Sequence, residues 1–234
     1  VLLIVAVIVF FIIHLIPGDP ASVILGEEAT PEEVQTLREE LGLNLPIYEQ
    51  FIQWFVGIFQ GDFGNSIYMN MPVLEAFIGH IGPTLSLALL AQSISIVIAI
   101  PLGIIAAKRR GTNVDQVFMI IAMLGLSIPS FLLALLLMLI FGVNLQWLPV
   151  AGYSPVSTGL WNHLQFMILP AISLGAIQAA VISRMSRSSM IDILSMNYIK
   201  TAKAKGVKER VVVYKHALRN AFIPILTILG ETFG

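Results

Sequence analysis

The stretch Ser183 to Pro224 reads SRMSRSSMIDILSMNYIKTAKAKGVKERVVVYKHALRNAFIP. It is strongly basic and sits between two apolar segments. Arg184, Arg187, Lys200, Lys203, Lys205, Lys208, Arg210, Lys215 and Arg219 face only Asp192 and Glu209. Outside it the chain is poor in charge. Of the 234 residues 57% are hydrophobic and 12% charged, against about 25% charged in soluble domains. With a mean hydropathy of +0.88 this composition predicts an all-α, polytopic helical membrane protein.

Five apolar segments are read as spans. Val1 to Ile16 is apolar apart from His14, and at 1.5 Å per residue it falls short of a hydrocarbon core of about 30 Å. It is read as a truncated first membrane helix, because IPGDPAS offers no small-x-small signal-peptide cleavage site. The second span is Pro83 to Ala107, stopped by Lys108-Arg109-Arg110-Gly111. The third runs from about Gln116 to Gly142 with Pro129 at mid-depth. A charge-free loop holding Trp147, Tyr153, Trp161 and His163 follows. The fourth span is Phe166 to Ser183, and a fifth begins near Ala221 and runs into the chain end.

Residues 17–82 form a distinct acidic region. It carries Asp19, Glu27, Glu28, Glu32, Glu33, Glu39, Glu40, Glu49, Asp62 and Glu75 against one base, Arg38. Pro17-Gly18-Asp19-Pro20 is a helix stop and turn. Thr30-Pro31-Glu32-Glu33 predicts a capping box opening a helix from Pro31 to Leu41 that ends at Gly42. From Pro46 to Gln60, Ile47, Phe51, Trp54, Phe55 and Ile58 recur at helical spacing. That helix is too short to span, and it is expected at the interface or packed against the spans, with its aromatics at headgroup depth. Gly61-Asp62-Phe63-Gly64-Asn65-Ser66 reads as a structural turn. The chain thus divides into residues 1–16, 17–82 and a core of 83–234 that includes the basic loop 184–219.

Charge sets the orientation. The loops after spans two and four hold twelve of the thirteen bases, and the opposite side holds only Arg38. By the positive-inside rule the basic loops and the N-terminus are expected in the cytoplasm, with the acidic region and the Trp147 loop outside.

No catalytic constellation is visible. His14, His80, His163 and His216 have no ligating neighbour at metal spacing, there is no Cys, and no P-loop sequence occurs, so neither metal nor cofactor is expected on this chain. Spans two to four hold no Asp, Glu, Lys or Arg, which counts against ion-coupled transport. Glu231 falls ten residues into span five. Gln92, Ser127, Ser130, Gln178 and Glu231 are the candidate pathway-lining residues, although Ser and Gln in such helices serve interhelical hydrogen bonding equally well. In the basic loop, Ser188 to Lys205 is expected as one amphipathic helix with Met190, Ile193, Leu194, Tyr198, Thr201 and Ala202 near one face. Gly206 breaks it and Val211 to Asn220 resumes helix.

This loop resembles the EAA motif of ABC-transporter permeases: Lys200-Thr201-Ala202, three residues, Gly206, then Leu218. Lys200 and Thr201 depart from the Glu-Ala of the general pattern, His216 from its Ile and Arg219 from its Pro. The departures are similar to the dipeptide/oligopeptide/nickel importer family, matched at Tyr198, Thr201, Ala202, Ala204, Lys205, Gly206, His216, Ala217, Leu218, Arg219, Asn220 and Ala221. Pro17-Gly18-Asp19-Pro20, Leu41-Gly42-Leu43, Gly61-Asp62-Phe63-Gly64 and Pro83-Thr84 extend the resemblance over nearly the whole chain.

The resemblance implies a permease with six spans, five of them present here, paired with a second homologous permease. Two cytoplasmic ATPase subunits, which bind the Mg-ATP, and an extracytoplasmic substrate-binding protein would complete the importer. The residues implied in ATPase coupling are Tyr198, Thr201, Ala202, Ala204, Lys205, Gly206, His216, Leu218 and Arg219, in a coupling helix. Peptide, nickel chelate, sugar and opine remain open as cargo. An ion-coupled transporter and a non-transporting membrane scaffold are the readings from other classes.

The orientation is directly testable in a chain without cysteine. Cysteines placed at Thr112 and Ser195 are expected to react with a membrane-impermeant maleimide only after permeabilisation, whereas one at Ser157 reacts in intact cells. The reverse pattern would invert the topology.

Overall fold

The computed structural model describes residues 1–15, 18–26, 29–66, 68, 69 and 71–233, with all their side chains except those of Leu2 and Ile13. Ile16 and Pro17 of the expected first turn, and Glu27 and Glu28 of the acidic region, lie outside the described residues. The chain gathers into two units, Val1–His80 and Ile81–Gly234.

In the first unit α1 (Leu2–Leu15) is followed by α2 (Pro20–Leu25), α3 (Pro31–Glu40) and α4 (Ile47–Gln60). The capping box forms as its residue types require. Thr30 Oγ1 accepts from the Glu33 N–H, and Glu33 Oε2 accepts from the Thr30 N–H at 2.8 Å, holding the Glu33 carboxyl below the usual carboxylate range. Gly42 then takes φ +66°, the left-handed conformation that ends a helix.

Phe51 and Trp54 of α4 pack on α1, the packed arrangement among those expected, while Tyr48 and Phe59 are exposed. Phe10 is buried with its ring centroid 5.2 Å from that of Phe51 and 5.5 Å from that of Trp54. Gln50 donates to the Leu43 and Leu45 carbonyls, so its Oε1 is turned to His14 Nε2 at 3.1 Å. The turn 61–66 opens a short hairpin in which β1 (Asn65–Ser66) pairs antiparallel with β2 (Met71–Pro72). Asp62 Oδ1 caps it by accepting the Gly64 N–H at 2.9 Å.

The second unit is a helix bundle built on two long helices, α5 (Val73–Lys108) and α8 (Leu160–Ser195). Each is long and apolar enough to cross a membrane. Both exceed the expected spans. Helix α5 begins ten residues before Pro83 and runs through Pro83 and Pro101, a tolerance common where neighbouring helices re-satisfy the freed carbonyls. Helix α8 takes in Trp161 and His163, which the sequence places in a loop. The His163 ring, sharing a hydrogen bond with the Ser154 carbonyl at 2.7 Å, ties that loop down. At its other end α8 continues past Ser183 through the first third of the basic stretch.

The third expected span is not a kinked rod. It is α6 (Asn113–Ser127) and α7 (Ser130–Leu137), the latter continued as a π-helical stretch to Asn144, and the two lie at 96°. Pro129 disfavours helical backbone at Ile128, which is extended (φ −89°, ψ 119°), so the chain turns there. The basic stretch continues as α9 (Asn197–Ala204), α10 (Glu209–Val211), a π-helical stretch Val212–Ala217 and α11 (Leu218–Phe233).

Small residues set the spacing of the bundle. A Cβ added at Gly175 of α8 would lie 2.9 Å from the Ala91 carbonyl oxygen of α5, and one at Gly103 of α5 would lie 2.9 Å from the Ser183 carbonyl oxygen of α8. The two long helices therefore touch backbone to backbone at two levels. Gly175→Val is expected to lower stability by about 1–3 kcal/mol through overpacking, seen as a lower melting temperature in detergent. Gly230→Ala on α11, where an added Cβ meets no atom within 4 Å, is expected to keep stability or raise it by up to about 1 kcal/mol.

A candidate coupling surface at the basic end of the bundle

The basic stretch is an ordered structure held to the bundle on three sides. Met196 has extended backbone (φ −68°, ψ 151°), which ends α8 and starts α9. The single helix expected from Ser188 to Lys205 is therefore two. A continuous helix would align Met190, Leu194, Tyr198 and Thr201. The break resets the phase, so Ile199 turns inward with no exposed surface, while Tyr198 and Thr201 turn outward. Ile199 packs in one cluster with Met190 and Ile182 of α8, Val212 and Val213 of the π-helical stretch, and Ala221 and Ile225 of α11.

The turn after α9 is a Schellman motif. The Gly206 N–H donates to the Lys203 carbonyl at 3.0 Å and the Val207 N–H to the Ala202 carbonyl at 3.2 Å, with Gly206 at φ +76°. Val207 and Ala202 both pack against the core cluster. Tyr198 reaches the other arm of the loop. Its hydroxyl donates to the His216 carbonyl at 3.4 Å and accepts from Asn220 Nδ2 at 2.7 Å, and Asn220 Nδ2 also donates to the His216 carbonyl at 3.3 Å. That carbonyl lies within the π-helical stretch, where the widened backbone leaves it open to side chains.

Two ion pairs tie the stretch to the turn between α5 and α6. Arg187 of α8 grips Asp115 in a bidentate pair, Nε to Oδ1 and Nη2 to Oδ2 at 2.5 and 2.6 Å, and Asp115 Oδ2 also takes the Gly111 N–H at 2.9 Å. Asp115 is buried at 4% exposure. Lys108 Nζ lies 2.9 Å from Glu209 Oε1. This hydrogen bond and charge hold the exposed Glu209 carboxyl below the usual carboxylate range, so the contact persists above that range and is lost as pH falls through it. These pairs place both basic loops at the same end of the bundle. Sequence reading missed them, because nothing local links Asp115 to a residue 72 positions away.

Among the residues singled out from sequence, Ala202 and Leu218 pack on the core cluster, and the half-buried His216 is joined to Tyr198 by hydrogen bonding. Tyr198, Thr201, Ala204, Lys205, Gly206 and Arg219 are exposed. Of the pathway candidates, two meet the segment of α11 that carries Glu231: Gln92 Nε2 donates to the Leu229 carbonyl at 3.3 Å and Gln178 Nε2 to the Thr232 carbonyl at 3.1 Å, while the Oε1 of each is buried with no hydrogen-bond partner. Ser127 donates to the Met123 carbonyl at 2.9 Å and, with the half-buried Ser130, flanks the 96° corner. Glu231 is exposed on α11. Among the described residues no group of His and carboxylates could hold a metal ion.

An apolar helical bundle that carries an ordered, basic, outward-facing helix defines a multi-pass membrane protein. The family follows from direct comparison. Residues 99–234 match the family described as binding-protein-dependent transport system inner membrane component, and residues 1–88 match the N-terminal part of the same system's membrane component. The chain belongs to this family. It is similar to the glutathione transport system permease protein GsiC of Salmonella choleraesuis (strain SC-B67), with 44% identity over 100% of this chain and 74% of that protein. It is also similar to the "Probable peptide ABC transporter permease protein y4tP" of Sinorhizobium fredii, with 38% identity over 98% of this chain and 74% of that protein. The chain is accordingly a multi-pass inner-membrane permease of a binding-protein-dependent transport system, and not an enzyme.

Removing one partner of the buried pair should be costly. Asp115→Ala is expected to destabilise the bundle by about 3–5 kcal/mol by leaving Arg187 unpaired, and Asp115→Ala combined with Arg187→Met should recover most of that loss. Thermal unfolding of the four variants of this cycle measures it.

Proposed function

We propose that this chain is the permease subunit of an ATP-driven ABC importer for peptides, and that α9 is its coupling helix. The observation that carries the reading is the two-sidedness of α9. Ile199 and Ala202 sink into the bundle core, while Thr201, Ala204 and Lys205 stand outside it, followed by the Gly206 turn. A partner pressing on the outer face would push on α8 and α11 through a packed core, which transmits displacement because it is close-packed. The small Thr201 and Ala204 allow close approach, and Lys200, Lys203 and Lys205 supply positive charge for an acidic groove.

Two cytoplasmic ATPases, which bind the Mg-ATP, would receive the coupling helices of this chain and of a second homologous permease. A substrate-binding protein would deliver cargo at the opposite face, on the side of the acidic region. That arrangement follows from a cytoplasmic N-terminus and cytoplasmic basic loops. Peptide cargo is favoured over a nickel chelate because the similar proteins are named for glutathione and peptide transport. Gln92, Ser127, Ser130, Gln178 and Glu231 are the candidates for contact with the pathway; Gln92 and Gln178 are each tied to α11 through Nε2 and keep Oε1 without a hydrogen-bond partner.

Single cysteines along Ser195 to Val207 in the assembled transporter test the coupling helix. Positions 201, 204 and 205 are expected to crosslink to the ATPase in a nucleotide-dependent way, and position 199 is expected not to. Ala204→Trp should abolish peptide uptake with membrane insertion intact. Normal uptake by Ala204→Trp, together with no crosslink at any position, would reduce the loop to a topology signal and favour ion-coupled transport.

A further inference from the structure

The bundle has a groove that the transport reading does not use. It runs between α5, α6 and α8 with a volume of about 220 Å³. Its floor is small, formed by Ala106, Ala122, Gly125 and Ala176, and its rims are Ile98 and Ile121, which are 45% and 55% exposed. The groove therefore opens outward along membrane-spanning helices. The Arg187 side chain lines one end, and the Asp115 that holds it also binds the Gly111 N–H, so the turn between α5 and α6 lies at this mouth. On that turn Lys108 is paired with Glu209. Arg109 and Arg110 are exposed and in no ion pair among the described residues, although the charge of Arg110 also acts on Asp115.

An apolar channel ending at two exposed arginines that form no ion pair among the described residues is complementary to an amphiphile with a long apolar tail and an anionic head. We propose that this groove binds one acyl chain of an anionic phospholipid from the leaflet on the basic side, with the phosphate at Arg109 and Arg110. A transmembrane helix from another copy would bring no anion to the two arginines, because spans two to four hold no acidic residue. The small floor residues let the acyl chain lie deep, and the lipid screens apolar surface that would otherwise pack poorly. This site is independent of coupling, since it lies away from the outer face of α9.

Native mass spectrometry of the full chain, titrated with phosphatidylglycerol and phosphatidylcholine of matched acyl chains, tests the proposal. The wild type should retain phosphatidylglycerol with a preference of roughly 30-fold, as expected for two surface cations. Arg109→Gln with Arg110→Gln, on an exposed turn, should erase the preference and leave phosphatidylcholine binding unchanged. Ala176→Phe should fill the groove and lose both lipids. Equal binding of the two lipids by the wild type overturns the proposal, and so does an unchanged preference in the double arginine variant. A filled variant that keeps its lipid but loses a dimer would make the groove an interface between copies, which also overturns it.

Discussion

Ile199 has no surface left to solvent, and much of the molecule depends on that burial. A short helix of eight residues in water has too few internal hydrogen bonds to persist by itself. Here α9 persists because its inner face completes a core already formed by α8, the π-helical stretch and α11. The most basic stretch of the chain is thereby part of the same solid body as the apolar helices. The outer face of α9 is therefore ordered in the chain by itself, and the proposed coupling would spend little on ordering it.

The ion pairs serve a related end by different physics. Hydrophobic burial holds α9 but does not specify which loops meet. The bidentate Arg187–Asp115 geometry does, because a planar guanidinium fits a carboxylate in few orientations. A buried pair of this kind adds specificity at a desolvation cost. Lys108–Glu209, being exposed, adds less and remains open to salt and acid.

The fold class was legible because a bilayer imposes a coarse rule, long uncharged runs, that composition alone reveals. The capping box at Thr30 and the C-terminal Gly206 turn were legible because each depends on a few adjacent residues. The 96° corner was not, since Pro129 within an apolar run is compatible with a kink or a full break, and neighbouring helices decide between them. The phase of α9 was misread for a similar reason. One extended residue, Met196, carries no strong breaker chemistry, yet it rotates every later side chain onto a different face. The motif residues at 198–221 were recognised as a group, but the burial of Ile199 and the Asp115 contact arise only from three-dimensional packing.

The 36 residues of α8 make a rod of about 54 Å, well beyond a hydrocarbon core of about 30 Å. The twelve residues after Ser183 account for about 18 Å of that length. One unbroken helix thus serves as both a membrane strut and the arm that carries α9. A tilt of about 10° would swing the end of that arm by about 3 Å, from the same rise per residue. Small rigid-body rotations at one end of the bundle and ångström-scale displacements at the other are then a single lever motion, without any helix having to unwind.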